Sequence, residues 1–253
     1  MISTLLKLPV FKRLIPSILI RVSKLLKKNR GYFKIKEIEM FLDFLDPIDR
    51  QIILFREYEN KEINLLSELI KQNSITDFVD VGANCGYYSF FVSKDNPNVK
   101  VFSYEPNSEA YTKLQKTLQK NISFIHKINI YNFGLSDSKS KKTLRSLTKF
   151  GYAQTGGASV EANYGHEQEA DFEIGDNVLH FDNKNLALKI DVEGHEINVL
   201  KGLKNTLIKN NCVIQIEIFD DNWDRINNYL ESLNYNLISQ FKDRSNYFYS
   251  KNS

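Results

Sequence analysis

Cysteine is scarce in this chain. Cys85 and Cys212 are the only two in 253 residues. They form no CxxC pair and no cluster suited to zinc or an iron–sulfur centre, and such sparse usage fits a reducing compartment. No apolar run approaches the ~20 residues that cross a bilayer. The N-terminus lacks the uninterrupted apolar core and small-residue cleavage site of a secretory signal. The expectation is therefore a cytoplasmic protein. Excess charge is missing too: the formal net charge is +3, so no global polycation for nucleic acid is present. No internal repeat or low-complexity tract interrupts the chain.

Acids are absent from one stretch. Residues 1–30 carry Lys7, Lys12, Arg13, Arg21, Lys24, Lys27, Lys28 and Arg30 with no Asp or Glu. Leu14, Ile15, Ile18, Val22, Leu25 and Leu26 recur there at helical spacing, with most of the bases on the other face. The spacing predicts a basic amphipathic helix over about 12–29, with Pro16 near its first turn. Such a helix could touch an anionic membrane surface from the cytoplasmic side. More often such a stripe buries against its own domain or a second subunit, which would make a homodimer. Residues 37–72 read as a second helical portion with a turn at Asp46-Pro47. Residues 1–73 together form an expected N-terminal helical extension, and 74–253 the main domain.

From residue 75 the pattern alternates. Short apolar runs predict strands at 76–81, 99–105, 128–134, 186–191 and 212–219, and helices are expected at 86–94, 107–120, 195–209 and 222–233. Strands with few polar interruptions belong to a sheet covered on both faces. Alternating βα units imply an α/β fold with a parallel sheet. The tail reads as a terminal β-hairpin. Only 136–185 breaks the rhythm, with "GYAQTGGASVEANYGHEQEADF" at its centre. It is expected to be a long irregular insertion acting as a lid.

Three segments carry chemistry. "ITDFVDVGANCGYYSFF" is a strand, a glycine turn and a helix start. It lacks the Lys-Ser/Thr of a phosphate loop, and Gly82, Asn84 and Tyr87 fail the GxGxxG dinucleotide pattern. Asp80 beside the turn disfavours a pyrophosphate. A cationic, zwitterionic ligand suits it better, and S-adenosylmethionine carries a sulfonium, an ammonium and a carboxylate. Asp80 would orient the ammonium, the backbone from Asn84 to Tyr87 would meet the carboxylate at the helix N-terminus, and Gly82 and Gly86 would allow close approach. "VFSYEPN" then ends a strand in Glu105, followed by Pro106 and Asn107. An acid at that position can accept both ribose hydroxyls of an adenosine. Third, "LALKIDVEGHEINVLKG" places Lys189 and Asp191 on one strand face, with Glu193 and His195 at the next helix start. "CVIQIEIF" adds Glu217 at the same edge.

"DVGANCGYYS", "YEPN", "NFGLSD" and "LKIDVEGHEINVLKG", in that order, resemble the FkbM family of S-adenosylmethionine-dependent methyltransferases. The resemblance covers roughly residues 45–220. It implies a class I methyltransferase fold, a Rossmann-like seven-stranded sheet, mostly parallel with an antiparallel C-terminal hairpin. It also implies O-methylation, of sugar hydroxyls in glycans or glycolipids or of polyketides, with S-adenosylhomocysteine as product. Carried over by motif, Asp80, Gly82, Asn84 and Gly86 would line the methionine end and Glu105 the ribose. Ser136 and Asp137 would lie near adenine, and Glu59 would close the cofactor site from upstream.

A sugar hydroxyl is a poor nucleophile until its proton is drawn away, and a general base typically contributes ~10²–10⁴. The candidates are Asp191, Glu193, Lys189, His195 and Glu217. Asp191 and Glu217 could instead hold Mg2+, though no third oxygen ligand is evident. Nucleic-acid acceptors are disfavoured. No Asn/Asp-Pro-Pro-aromatic stretch for amino-adenine occurs, neither cysteine follows a proline as cytosine C5 chemistry needs, and no cysteine triplet for radical chemistry exists. The alternatives are a non-catalytic cofactor-binding scaffold and an RNA methyltransferase.

Overall fold

The computed structural model describes residues 28–251 other than 147, 150, 151, 154, 164, 242 and 244, together with positions 16, 19–21, 23 and 25. Those N-terminal positions are helical, and Ile20 packs partly buried against the core. Of the rest of the expected 12–29 helix, Lys28 and Asn29 are not helical, and the other positions lie outside the described residues. Among the described residues no helix is long and apolar enough to cross a membrane.

The first elements correct the sequence reading. Residues expected inside a helical extension form a hairpin of β1 (Arg30–Ile35) and β2 (Ile38–Asp43), turning at Lys36 with φ 53°. Burial alternates along β2, with Ile38, Met40 and Leu42 inward, the period of a strand rather than a helix. The edge of β2 is closed by side chains of a helix far along the chain: Thr117 Oγ1 accepts the Phe41 N–H at 2.9 Å and Asn121 Oδ1 accepts the Glu39 N–H at 3.1 Å. Helix α1 (Pro47–Phe55) starts where expected, because the Asp46 carboxylate caps the Ile48 and Asp49 N–H groups and Pro47 stands at the first helical position. Helix α2 (Asn60–Gln72) follows.

The remaining order is β3 (Asp77–Val81), α3 (Tyr87–Asp95), β4 (Lys100–Tyr104), α4 (Ser108–Lys120), β5 (Ile128–Tyr131), β6 (Gly134–Ser136), β7 (Ser140–Ser146), β8 (Thr148–Lys149), β9 (Tyr152–Ala153), β10 (His166–Ile174), α5 (Gly175–Val178), β11 (Asn185–Ile190), α6 (Glu196–Gly202), α7 (Lys204–Lys209), β12 (Asn211–Glu217), α8 (Trp223–Ser232), β13 (Tyr235–Phe241) and β14 (Asn246–Lys251). The central sheet has seven strands in the order β13-β14-β12-β11-β3-β4-β5. All run parallel except β14, which is antiparallel to both neighbours. This is the expected class I sheet with its antiparallel terminal hairpin. The helix expected over 195–209 is broken into α6 and α7 at Leu203. Gly202 packs so close to the strand beneath that a Cβ there would stand 1.9 Å from the Ser136 carbonyl oxygen.

Strand alternation divides the core into two layers. Phe78, Ala187 and Val213 face the hairpin and α1–α4, while Val79, Val81, Leu186, Leu188, Ile190, Ile214 and Ile216 face α6–α8. The insertion is not irregular. β10 pairs in parallel with β6 and antiparallel with β7 in a second, three-stranded sheet, and β8 pairs with β9. Polar alternation along "HEQEADFEI", with Ala170 and Phe172 buried, is what one-sided burial of an antiparallel strand produces.

Candidate active site

The register places two polar rows across the sheet. In the first, Ser103, Asp80, Lys189 and Gln215 are neighbours on β4, β3, β11 and β12, all buried. All face α3. Ser89 Oγ donates to Asp80 Oδ2 at 2.5 Å and lies 2.8 Å from Ser103 Oγ. Tyr88 accepts from Gln215 Nε2 at 2.7 Å and donates to Glu59 Oε2 at 2.7 Å. Its ring lies 4.7 Å from Lys189 Nζ. Two residues further along each strand comes the second row, Glu105, Gly82, Asp191 and Glu217. It crosses the carboxyl edge of the sheet, where α/β folds bind ligands.

Gly82 belongs in that row for a steric reason. Its φ is +81° and a Cβ would sit 1.8 Å from the Asp191 carbonyl oxygen, so the turn can pass over β11 only without a side chain. Gly86, at φ +86°, caps α3 under Leu114. The turn leads the N–H groups at the start of α3 toward a cavity of about 140 Å³. Gly82, Asn84, Tyr87, Glu105 and Pro106 line it, as do Lys189, Asp191, Glu193, His195 and Glu217. Several expected cofactor residues stand elsewhere. Asp80 is fully buried one row behind the cavity. Gly86 and Asn107 support it from behind; Asn107 Oδ1 caps α4 through the Glu109 and Ala110 N–H groups. Ser136 and Asp137 also lie outside the lining, which takes Gly134 and Leu135 instead, because β6 turns its last residues toward α6. Glu59 lines a neighbouring groove rather than the cavity.

Burial and mutual repulsion set the charges. Glu105 accepts the Asn84 and Asn107 N–H groups, each at 2.7 Å, yet burial pushes it up to about 7. Asp191, Glu193 and Glu217 each offer an oxygen within 4.8 Å of the others. Three charges at that range in a desolvated pocket cannot all persist. Burial and the neighbouring Asp191 carboxylate raise Glu193 to about 8 and Glu217 to about 10. Asp191 shifts the other way. Burial opposes its charge, but Lys189 Nζ at 2.9 Å and the hydrogen bond from Glu217 together outweigh this and hold it below the usual carboxylate range. A hydrogen bond joins the Glu217 and Asp191 carboxyls. The arrangement favours the anionic form of Asp191 and the protonated forms of Glu193 and Glu217. Lys189 itself is raised, against burial, by Asp191, Asp80 and Glu59. His195 is held between Ser136 Oγ (3.0 Å from Nε2) and Glu161 Oε1 (3.4 Å from Nδ1), and burial lowers its pKa.

Residues not singled out one by one from the sequence complete the site, and they fall within the insertion expected to act as a lid. Thr155, Gly156, Ala158 and Val160 of the insertion line the cavity. Thr155 donates its N–H and hydroxyl to Asp46 Oδ2 at 2.9 and 2.8 Å. Lys113 Nζ reaches Asp49 Oδ2 at 2.7 Å and Thr155 Oγ1 at 2.8 Å. This buried cluster fastens the insertion to α1 and α4 beside Asn84. Ser159 Oγ donates to the Glu193 carbonyl at 2.6 Å, tying the insertion to the loop after β11 as well. Tyr58, next to the expected Glu59, also enters the cavity wall. The cavity is smaller than the about 300–1,000 Å³ of typical ligand pockets, and this strap supplies part of its wall.

The sequence profile of the methyltransferase FkbM domain matches residues 80–237, more than half of the chain. Hexuronic acid methyltransferase AglP of Haloferax volcanii is 26% identical over 164 residues, covering 62% of this chain and 61% of the relative. AMB antimetabolite synthetase AmbE of Pseudomonas aeruginosa is 25% identical over 178 residues, covering 56% of this chain and 8% of that protein. The chain thus matches less than two thirds of the length of either relative. Among solved structures, methyltransferase FkbM from Methylobacillus flagellatus KT has a TM-score of 0.51 at 19% identity, covering 70% of this chain and 43% of that one. A Staphylococcus aureus protein assigned as a caffeoyl-CoA O-methyltransferase has a TM-score of 0.50 at 9% identity, covering 94% and 100%. Both share the fold. With the glycine turn and the carboxylate edge in place, and the profile spanning both, this chain belongs to the FkbM methyltransferase family.

Proposed function

We propose that this methyltransferase moves the methyl group of S-adenosylmethionine to a sugar hydroxyl of a glycan or glycolipid. The observation that carries the reading is the Asp191 carboxylate, held 2.9 Å from Lys189 Nζ and lining one cavity with the glycine turn, Glu193 and Glu217. The α3 N-terminus at Tyr87 would hold the cofactor's carboxylate. Glu105 keeps lone pairs for ribose hydroxyls beyond the two N–H bonds it accepts. Gly134 and Leu135 would border adenine. Asp191 would draw the proton from the acceptor hydroxyl while Lys189 fixes its position. The hexuronic acid methyltransferase among the relatives supports a carbohydrate acceptor.

Radiolabelled methyl transfer from the cofactor to a glycan extract tests the reading. Asp191→Asn should lower turnover by ~10²–10⁴ while S-adenosylhomocysteine still binds. No transfer to any hydroxyl by wild-type protein that binds this product would overturn it. A second reading of the same acids is a divalent cation, favoured by the spacing of the Asp191, Glu193 and Glu217 oxygens; here Glu193 supplies the third oxygen ligand that the sequence left unidentified. Loss of activity on chelation and its return with Mg2+ would support a metal-assisted route. Activity indifferent to chelator would remove it.

A further inference from the structure

The three carboxyls at the sheet edge differ in what holds their backbone. Asp191 directly follows β11, and its N–H donates to the Val81 carbonyl at 3.0 Å. Glu217 closes β12, in register with Asn246 of β14. Both are therefore placed by the central sheet. Glu193 is not. It stands on the turn between β11 and α6, where it takes φ 53° and Gly194 after it φ 102°. A non-glycine residue enters the left-handed region at a cost and stays there where its surroundings enforce it, often at functional sites. The support for this turn has to come from outside the central sheet.

Part of it comes from within the turn: Glu196 Oε1 accepts the Gly194 N–H at 2.9 Å, and the His195 N–H donates to the Val192 carbonyl at 3.3 Å. The rest comes from the second sheet. Ser159 is bridged to Arg145 of β7 by two backbone hydrogen bonds, at 2.9 and 3.0 Å. Its Oγ accepts the Glu161 N–H at 3.0 Å, which leaves the hydroxyl proton for the Glu193 carbonyl at 2.6 Å. Hydrogen bonds chained in this way polarise one another. Glu161 also packs on the turn, since a Cβ at Gly194 would stand 3.4 Å from its Cγ. On the far side of Gly194, His195 is tied through Nε2 to Ser136 of β6 and through Nδ1 to Glu161. β6 and β7 flank β10 in the same small sheet, so that sheet grips the turn before and after Gly194.

Resting on the methyltransferase reading above, we propose that the three-stranded sheet is a clamp for the Glu193 turn, and that Ser159 is the positioning residue through which it brings the Glu193 carboxyl to Asp191 and Glu217. His195 then acts as a second tie of the clamp. The trio needs its third member in place whether Asp191 works as a base or the three acids hold a cation, so the clamp serves either route.

Ser159→Ala and Ser159→Thr test the assignment, because only threonine keeps the hydroxyl. Hydrogen exchange followed by mass spectrometry should show faster exchange at residues 193–196 in Ser159→Ala and wild-type exchange in Ser159→Thr. Labelled methyl transfer to the glycan extract, at saturating cofactor, should fall about tenfold in Ser159→Ala, the worth of one hydrogen bond. The cofactor KM should stay unchanged, and Ser159→Thr should restore turnover. Four results on active wild-type protein overturn the clamp: exchange unchanged in Ser159→Ala, turnover unchanged despite faster exchange, a raised cofactor KM with unchanged turnover, or an equal loss in both variants. If wild-type protein binds the product yet transfers no methyl group, the functional reading fails first and the clamp falls with it.

Discussion

Asp191, Glu193 and Glu217 are three chemically similar side chains that the structure makes unequal. Lys189 stands against one of them, and the other two take up protons. The expected consequence is a split between isosteric variants. Glu217→Gln keeps a donor toward Asp191 and should cost turnover less than about tenfold, whereas Asp191→Asn removes the only anion of the trio and should cost ~10²–10⁴; steady-state kinetics of both variants checks this. The same asymmetry predicts a pH dependence of stability. Folded Glu193 and Glu217 titrate near 8 and 10, above the unfolded value of about 4.3. Between those values the folded chain binds more protons than the unfolded one. Their contribution is therefore full below about 4.3 and is lost as pH rises through 8 and then 10. The Tm of ligand-free protein should fall from pH 6 to 9.5, and the fall should be shallower in Glu217→Gln. An equal slope in the variant would contradict the assignment. Asp191 and Glu217 were legible in the sequence because they stand at strand ends on a carboxyl edge, and Glu193 because it follows Asp191 in the same motif. Their inequality was not, since it depends on Lys189 lying 2.9 Å from Asp191.

Elements far apart in sequence meet at the strap over the cavity. Lys113 on α4 lies buried between Asp49 and Asp46, and Thr155 hydrogen-bonds to Lys113 and Asp46. Breaking a buried ion pair from one side costs about 3–5 kcal/mol, so Lys113→Met should lower the Tm sharply in a thermal melt. Thr155→Val is the milder and more informative change. It keeps the shape and loses the hydroxyl that binds Asp46 and Lys113, so the strap should seat less firmly. The cofactor KM should rise about tenfold, ~1.4 kcal/mol, with kcat nearly unchanged, and Thr155→Ser should restore it. Nothing in the sequence pointed to Lys113, a lysine within an amphipathic helix, or to the β1–β2 hairpin. Met40, Phe41, Leu42, Phe44 and Leu45 form an apolar cluster that suits either period. What decided for a strand was the pair of acceptors that Thr117 and Asn121 hold out to β2.

For the molecule as a whole, cofactor binding is linked to global stability. A ligand at 100 times its Kd stabilises the folded state by about 2.7 kcal/mol, and each kcal/mol moves the Tm of a domain near this size by about 2–4 °C. Saturating S-adenosylhomocysteine should therefore raise the Tm by roughly 5–11 °C, measured by calorimetry; no shift at saturation would mean that the product does not bind the folded chain.

The sequence by itself determined the alternation of strands and helices, the glycine turn and the acids that end the strands. Each of these follows from local periodicity and from the steric demands of a turn packed against β11. The tertiary structure alone decided which of those groups reach the cavity. Asp80 and Glu105 both sit at strand ends beside glycine turns or helix starts, yet a two-residue step separates Asp80, buried beside Lys189, from Glu105 on the cavity wall. That step, and the Lys113 and Thr155 bonds that close the strap, are distances between residues remote in the chain, and local sequence patterns carry no record of them.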